Sequence, residues 1–151
     1  MKIKISLAAI TLSSLMLAPV YADDLKEKAI DYRQGVFTVI GWNFGGMGAM
    51  AKGEKPYDAA EFTRLAENVA FMSKLAHEGF IAGSVAKAGE TRAKDDIWKK
   101  PDEFKTKMAD FEKASAELVV ASKSGDMNKI KPIFGKTADT CKACHKAFRE
   151  D

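Results

Sequence analysis

The stretch "IKPIFGKTADTCKACHKAF", residues 130–148, decides the fold. Ile130, Phe134, Thr137, Cys141, Cys144 and Phe148 recur alternately four and three positions apart. That spacing is one stripe of an α-helix. Both cysteines therefore lie on the apolar face that packs the core. Gly125 stops the preceding helix and Asp126 is placed to cap this one. Pro132, near the start, is expected to distort the helix or to delay its regular part.

Three more segments carry the same period. Pro101 suits a first helical turn, and Phe104, Met108, Phe111, Ser115, Leu118 and Ser122 run in register towards Ser124. Before it, Asp58 reads as an N-cap and Glu61 completes a capping-box pattern. Phe62, Leu65, Val69, Met72 and Ala76 then mark a helix to about Glu78. The first helix is expected from Asp24 to Met50. Leu25, Ala29, Tyr32, Val36 and Val39 form one stripe, and Ile30, Arg33, Phe37, Ile40 and Phe44 form its neighbour. Gly41 and Gly45 share a face, which would allow a second helix or a flat cofactor to approach, or else the helix frays there. Residues 79–100 form the longest connection. Strand signals are weak throughout. The expected fold is all-α, an antiparallel four-helix bundle.

"CKACH", residues 141–145, has the C-x-x-C-H pattern that attaches c-type haem. Two thiols three apart on a helix face one edge of the ring, and a histidine four after the first swings beneath the iron. A zinc site would need four ligands, and the chain has only two Cys and two His. A redox dithiol usually opens a helix beside a strand, which this chain lacks. Covalent haem c with His145 as axial ligand is the expectation. No Met or His follows His145, so any second axial ligand must lie upstream. His77, Met47, Met50, Met72, Met108 and Met127 are the candidates, and spacing does not decide between a ligated and an open site.

The first 22 residues look like a cleaved secretory signal. Lys2 and Lys4 precede an apolar run from Ile5 to Leu17, and "PVYA" leads to cleavage after Ala22. Residues 23–151 would then form a single periplasmic domain with 22 basic and 21 acidic residues. This balance argues against nucleic acid as a partner. After signal cleavage no membrane segment is expected.

Four stretches together resemble the cytochrome c-prime family: "YRQGVF" (32–37), "KGEKPYDAA" (52–60), "AKDDIW" (93–98) and "CKACHKAFR" (141–149). The resemblance spans essentially residues 23–151. It implies a four-helix bundle with one covalent haem, held by Cys141 and Cys144, with His145 on a five-coordinate, high-spin iron. Phe37 would cover the vacant face. Low-spin relatives carry a Met in that region, and this chain has none between Asp23 and Phe44. By the same resemblance Arg33 and Gln34 contact haem propionates, with Thr91 and Arg92 as further propionate contacts. Phe80 lies by the distal pocket and Arg149 by the proximal face. His77 stands where some relatives have a Trp. Family members commonly pair as homodimers through their first two helices.

The function expected is non-enzymatic binding of NO, and of CO hindered by Phe37, with NO trapping as the role. An apolar pocket offers no hydrogen bond to bound dioxygen. It also lacks the distal acid–base pair a peroxidase would use. The alternative is a cytochrome passing single electrons between periplasmic partners.

Overall fold

The structure, a computed structural model, describes residues 18–85 and 91–150, with side chains from Asp23 onward. Most of the expected signal segment lies outside these residues. The described chain forms α1 (Ala18–Lys52), α2 (Ala59–Leu75), α3 (Asp96–Lys99), α4 (Pro101–Ser122) and α5 (Met127–Phe148). The four long helices make the expected bundle. The short α3 was not anticipated; it is a single turn inside the long connection.

Cross-helix pairs fix the directions. Asn43 meets Asn68 at 2.9 Å while Tyr32 meets Glu78 at 2.8 Å, so α1 and α2 run antiparallel. Glu117 pairs with Lys136 at 2.7 Å, and Phe104 packs edge-on to Phe148, so α4 and α5 do too. Phe44 stacks on Phe134 with centroids 4.3 Å apart and ties α1 to α5. The core runs along this axis through Met47, Phe62, Val69, Leu118 and Ile130, all fully buried. Burying each such side chain stabilises the fold by about 1.5–3 kcal/mol before entropy is charged against it.

Local chemistry explains most boundaries. Asp58 caps α2 by accepting from the Glu61 amide at 2.8 Å. The reciprocal half of the capping box is absent, because the Glu61 carboxylate takes Lys55 at 2.6 Å instead. Asp126 caps α5 by accepting from the Asn128 amide. Helix α5 nevertheless starts at Met127 and runs through Pro132. Proline there costs one backbone hydrogen bond near the helix start. The exposed ring and the anchored next turn offset that: Thr137 donates to Ile133 O at 2.9 Å and Ala114 O at 3.2 Å.

Two expectations for α1 change. The helix does not fray at its glycines but continues to Lys52. Gly41 and Gly45 have open space where a Cβ would stand, while Gly46 faces Leu65 at 3.0 Å and Gly48 faces Phe134 at 3.6 Å. Close helix approach thus uses the other pair. The stripe from Leu25 to Val39 also splits: Ala29 and Val36 are buried, but Leu25, Tyr32 and Val39 are exposed on the flank beside α2. A 7-residue repeat drifts around a 3.6-residue helix, and this one drifts to the outside.

Candidate haem site

One cavity of about 510 Å³ opens between α1, the connection and the end of α5. That is within the usual range for a cofactor pocket. Arg33, Gln34, Phe37, Phe80, Thr91, Arg92, Cys144, His145 and Arg149 all line it. Residues from four separate stretches, spread over more than 110 positions, therefore meet. Cys141 does not line the cavity; it lies one turn before Cys144, partly buried against the core. Sequence reading missed five lining residues: Thr38, Ala93, Ile97, Phe104 and Phe148. Phe104 and Phe148 carried a signal as core positions, but nothing in their spacing marked them as cavity wall.

The connection is held by α1. Arg33 is buried, and its guanidinium donates to Gly79 O at 3.0 Å, Ser84 Oγ at 2.8 Å and Ser84 O at 2.9 Å. It lies 5.0 Å from the Phe80 ring centroid and 5.9 Å from that of Trp98. Trp98 in turn donates its indole N–H to Ile81 O at 3.0 Å. Gly79 allows this: a Cβ there would meet Arg33 Cβ at 2.7 Å and Ala29 O at 2.9 Å. Phe80 is thereby fixed edge-on to Phe37, with centroids 6.2 Å apart, and edge-on to Phe104 at 4.8 Å. Two aromatic rings form one wall.

The other wall is the end of α5. A two-bond clip pins it: Lys94 N donates to Phe148 O at 3.0 Å and Glu150 N donates to Arg92 O at 2.8 Å. Ala93 and Arg149 are the bridged pair. The clip sets Thr91 and Arg92 beside the cavity. Burial holds the His145 imidazole pKa below its ordinary value, and the nearby Arg149 and Arg92 cations lower it further. The neutral ring that results is the form that binds a metal. Burial pushes the Cys144 thiol up to about 11, with Cys141 adding to the rise. Burial likewise raises Cys141. Cys141 and Cys144 do not pair with each other in a disulfide.

Among the described residues His145 is the only histidine lining the cavity, and no methionine lines it. His77 is exposed at the end of α2. Met47, Met50 and Met108 are buried in the core, and Met72 and Met127 pack against it. Among the described residues three arginines, and no Asp or Glu, line the cavity. This chain fits haem c: paired thiols and an imidazole on one helix, aromatic walls for the ring faces, and cations for the propionates.

A helical bundle whose last helix ends in C-x-x-C-H beside such a cavity is a c-type haem protein of the four-helix class. A sequence profile described as Cytochrome C' matches residues 28–149, and the chain belongs to that family. It is 40% identical to cytochrome c' of Rubrivivax gelatinosus over 81% of this chain and 94% of that protein. The solved cytochrome c prime of Shewanella frigidimarina superposes with a TM-score of 0.80 at 48% identity, covering 83% of this chain and 97% of that one. A carbon monoxide-bound variant of the Alcaligenes xylosoxidans protein superposes at 0.77 with 33% identity, covering 83% of this chain and 97% of that one. A nitric oxide complex of another variant of that protein superposes equally well. The protein accordingly carries covalent haem c. No described helix is long and apolar enough to cross a membrane.

Proposed function

We propose that this protein binds diatomic gases in the periplasm, NO first and CO more slowly, and that its role is to trap NO. The observation that carries the reading is the wall opposite α5: Phe37 and Phe80 line it, and among the described residues no Met or second His reaches the cavity. Cys141 and Cys144 hold the ring, and His145 takes one axial position. The haem supplies an iron with an open axial position where a diatomic gas can bind. Phe37 and Phe80 exclude water and offer no hydrogen bond, so dioxygen gains nothing there. Phe37 must swing aside before a ligand enters, which slows CO. Arg33, Gln34, Thr91 and Arg92 are the propionate contacts, and Arg149 stands by the proximal face.

The protein is not an enzyme on this reading, which is supported by a lining that, among the described residues, has no carboxylate or second imidazole for acid–base chemistry. Delivery follows cleavage after Ala22, leaving residues 23–151 as one domain. Exposed Tyr32, Val39, Trp42 and Phe71 form the face through which two copies pair. Absorption spectra of the ferric and ferrous protein, with and without CO and NO, test the reading. A high-spin ferrous spectrum that responds to both gases is expected. A low-spin spectrum unresponsive to CO would overturn it.

One feature favours the alternative, an electron carrier. Lys142 and Lys146 are exposed on the helix that bears the motif, and Lys107 acts electrostatically on Cys144. That cationic rim suits docking to an acidic redox partner. The same low-spin result would support it.

A further inference from the structure

Haem c brings two propionate carboxylates, whereas three guanidiniums line the cavity: Arg33, Arg92 and Arg149. Among the described residues none of the three has an ion-pair partner. Arg33 already donates to Gly79 and Ser84, and the five donors of Arg92 suffice for a propionate and a further acceptor. Arg149 is the one set against the axial ligand, with Nη1 at 3.4 Å from His145 Nδ1. The contact changes meaning under the haem reading, on which this inference rests. An imidazole that gives Nε2 to iron carries its remaining proton on Nδ1. Metal-bound histidines donate that proton to a carboxylate, a carbonyl or water. Here the side chain facing Nδ1 is a guanidinium, which has donors only. Two donors then face each other without an acceptor between them. The clip between Ala93 and Arg149 brings a second guanidinium, Arg92, to the same place.

We propose that Arg149 and Arg92 form a binding site for a small inorganic anion behind His145. The anion accepts hydrogen bonds from Nδ1–H and from the guanidiniums. It fills the place a carboxylate takes behind other metal-bound histidines. Drawing on the Nδ1 proton makes the imidazole a stronger donor to iron. Occupancy of this site then sets the strength of the axial bond from outside the protein. Arg92 and His145 are both exposed, so exchange is fast, and screening by water keeps affinity modest.

The test uses the intact ferrous haem protein without a gas ligand. Resonance Raman spectroscopy follows the iron–histidine stretch as sodium bromide or sodium phosphate replaces sodium gluconate at fixed ionic strength. Bromide reports a halide site and phosphate an oxyanion site, each against gluconate as the common reference. A saturable rise in frequency is expected with at least one of the two. Arg149→Gln should abolish it and Arg149→Lys should retain it. Arg92→Gln should weaken binding about tenfold, the worth of one charge-assisted hydrogen bond. Crystals grown in bromide should show an anomalous peak touching Arg149 and His145. A frequency independent of both anions, an unchanged response in Arg149→Gln, or a haem propionate on Arg149 would overturn the proposal. Absence of any iron–histidine band in every buffer would instead overturn the open-site reading of the iron.

Discussion

Arg33 holds the connection that carries Phe80: its guanidinium lies 5.0 Å from the Phe80 ring and donates to the backbone on both sides, at Gly79 and Ser84. Its three hydrogen bonds to neutral oxygens and the Phe80 and Trp98 rings beneath it offset the desolvation of this buried cation, and burial lowers its pKa. Arg33→Met should remove three hydrogen bonds and leave the Gly79 and Ser84 carbonyls without their Arg33 donor, while Ser84 Oγ keeps its own bond to Ile81 O. We expect a loss of roughly 2–4 kcal/mol in urea unfolding of the haem protein. Arg33→Lys keeps the charge but cannot reach both residues, so it should fall between. A loss under about 0.5 kcal/mol for Arg33→Met would remove the strut from the account.

Gly79 is the other half of that relationship. Gly79→Ala puts a methyl 2.7 Å from Arg33 Cβ and 3.0 Å from its amide, both on helix backbone that cannot yield cheaply. Overpacking of this kind costs about 1–3 kcal/mol. Because Phe80 follows directly, the variant should also alter gas-binding kinetics. Gly41→Ala and Gly45→Ala meet open space and should instead stabilise α1, by up to about 1 kcal/mol each. Thermal unfolding of the three variants separates the two cases.

Phe37 is the predicted steric gate. It is half-buried in the cavity wall, packs against the core and meets the Phe80 ring edge-on. Phe37→Ala should speed CO association by at least about tenfold, which corresponds to about 1.4 kcal/mol off the barrier. Stopped-flow mixing of the ferrous variant with CO reads this directly. Unchanged kinetics would mean that another step limits entry.

These residues also show where sequence reading stops. The helix faces of α2, α4 and α5 were legible because apolar spacing and caps are local: Phe62 to Ala76, Phe104 to Ser122 and Ile130 to Phe148 each follow one stripe. The haem motif was legible because its geometry lies within one and a half turns. The remainder depends on partners far apart in the chain. Arg33 bonds residues 46 and 51 positions away, so spacing cannot reveal that its fork points into the connection. Gly79 gave no sign that α1 would lie against it. The exposed row from Leu25 to Val39 read as core because its period is helical, and only the position of α2 decides which flank is covered. The family resemblance supplied Arg33, Phe37 and Arg149 as site residues; the coordinates add how each is held.

Tyr57 offers a stability prediction away from the haem. Its hydroxyl is buried with no hydrogen-bond partner among the described residues, while its ring packs edge-on to Phe62. Tyr57→Phe keeps the ring and deletes the orphan, so it should stabilise the fold by about 1 kcal/mol. The pH dependence follows. Burial raises the Tyr57 pKa above 10.0, and Asp58 and Asp126 raise it further. Above the ordinary tyrosine pKa the unfolded chain releases this proton while the folded chain keeps it. Wild-type stability should therefore fall as pH rises through that window, and the fall should be shallower in Tyr57→Phe. Parallel slopes in the two proteins between neutral and alkaline pH would contradict the assignment.

The outer face of α1 and α2 gives the last prediction. Trp42 is 82% exposed and Phe71 61%, and both stand on the pair of helices joined by Asn43 and Asn68. The Asn pair and the Tyr32–Glu78 bond fix the register, which sets Val39 at the height of Phe71. Exposed aromatics gathered on one face mark an association surface more often than a solvated one. If two copies pair there, Trp42→Ser with Phe71→Ser should raise the dimer dissociation constant by at least about a hundredfold, the worth of two buried aromatic anchors at more than 1 kcal/mol each. Val120→Ser, on the exposed face of α4, should leave it unchanged. Sedimentation velocity across a concentration series distinguishes these outcomes. A wild-type protein that stays monomeric at high concentration would overturn the pairing.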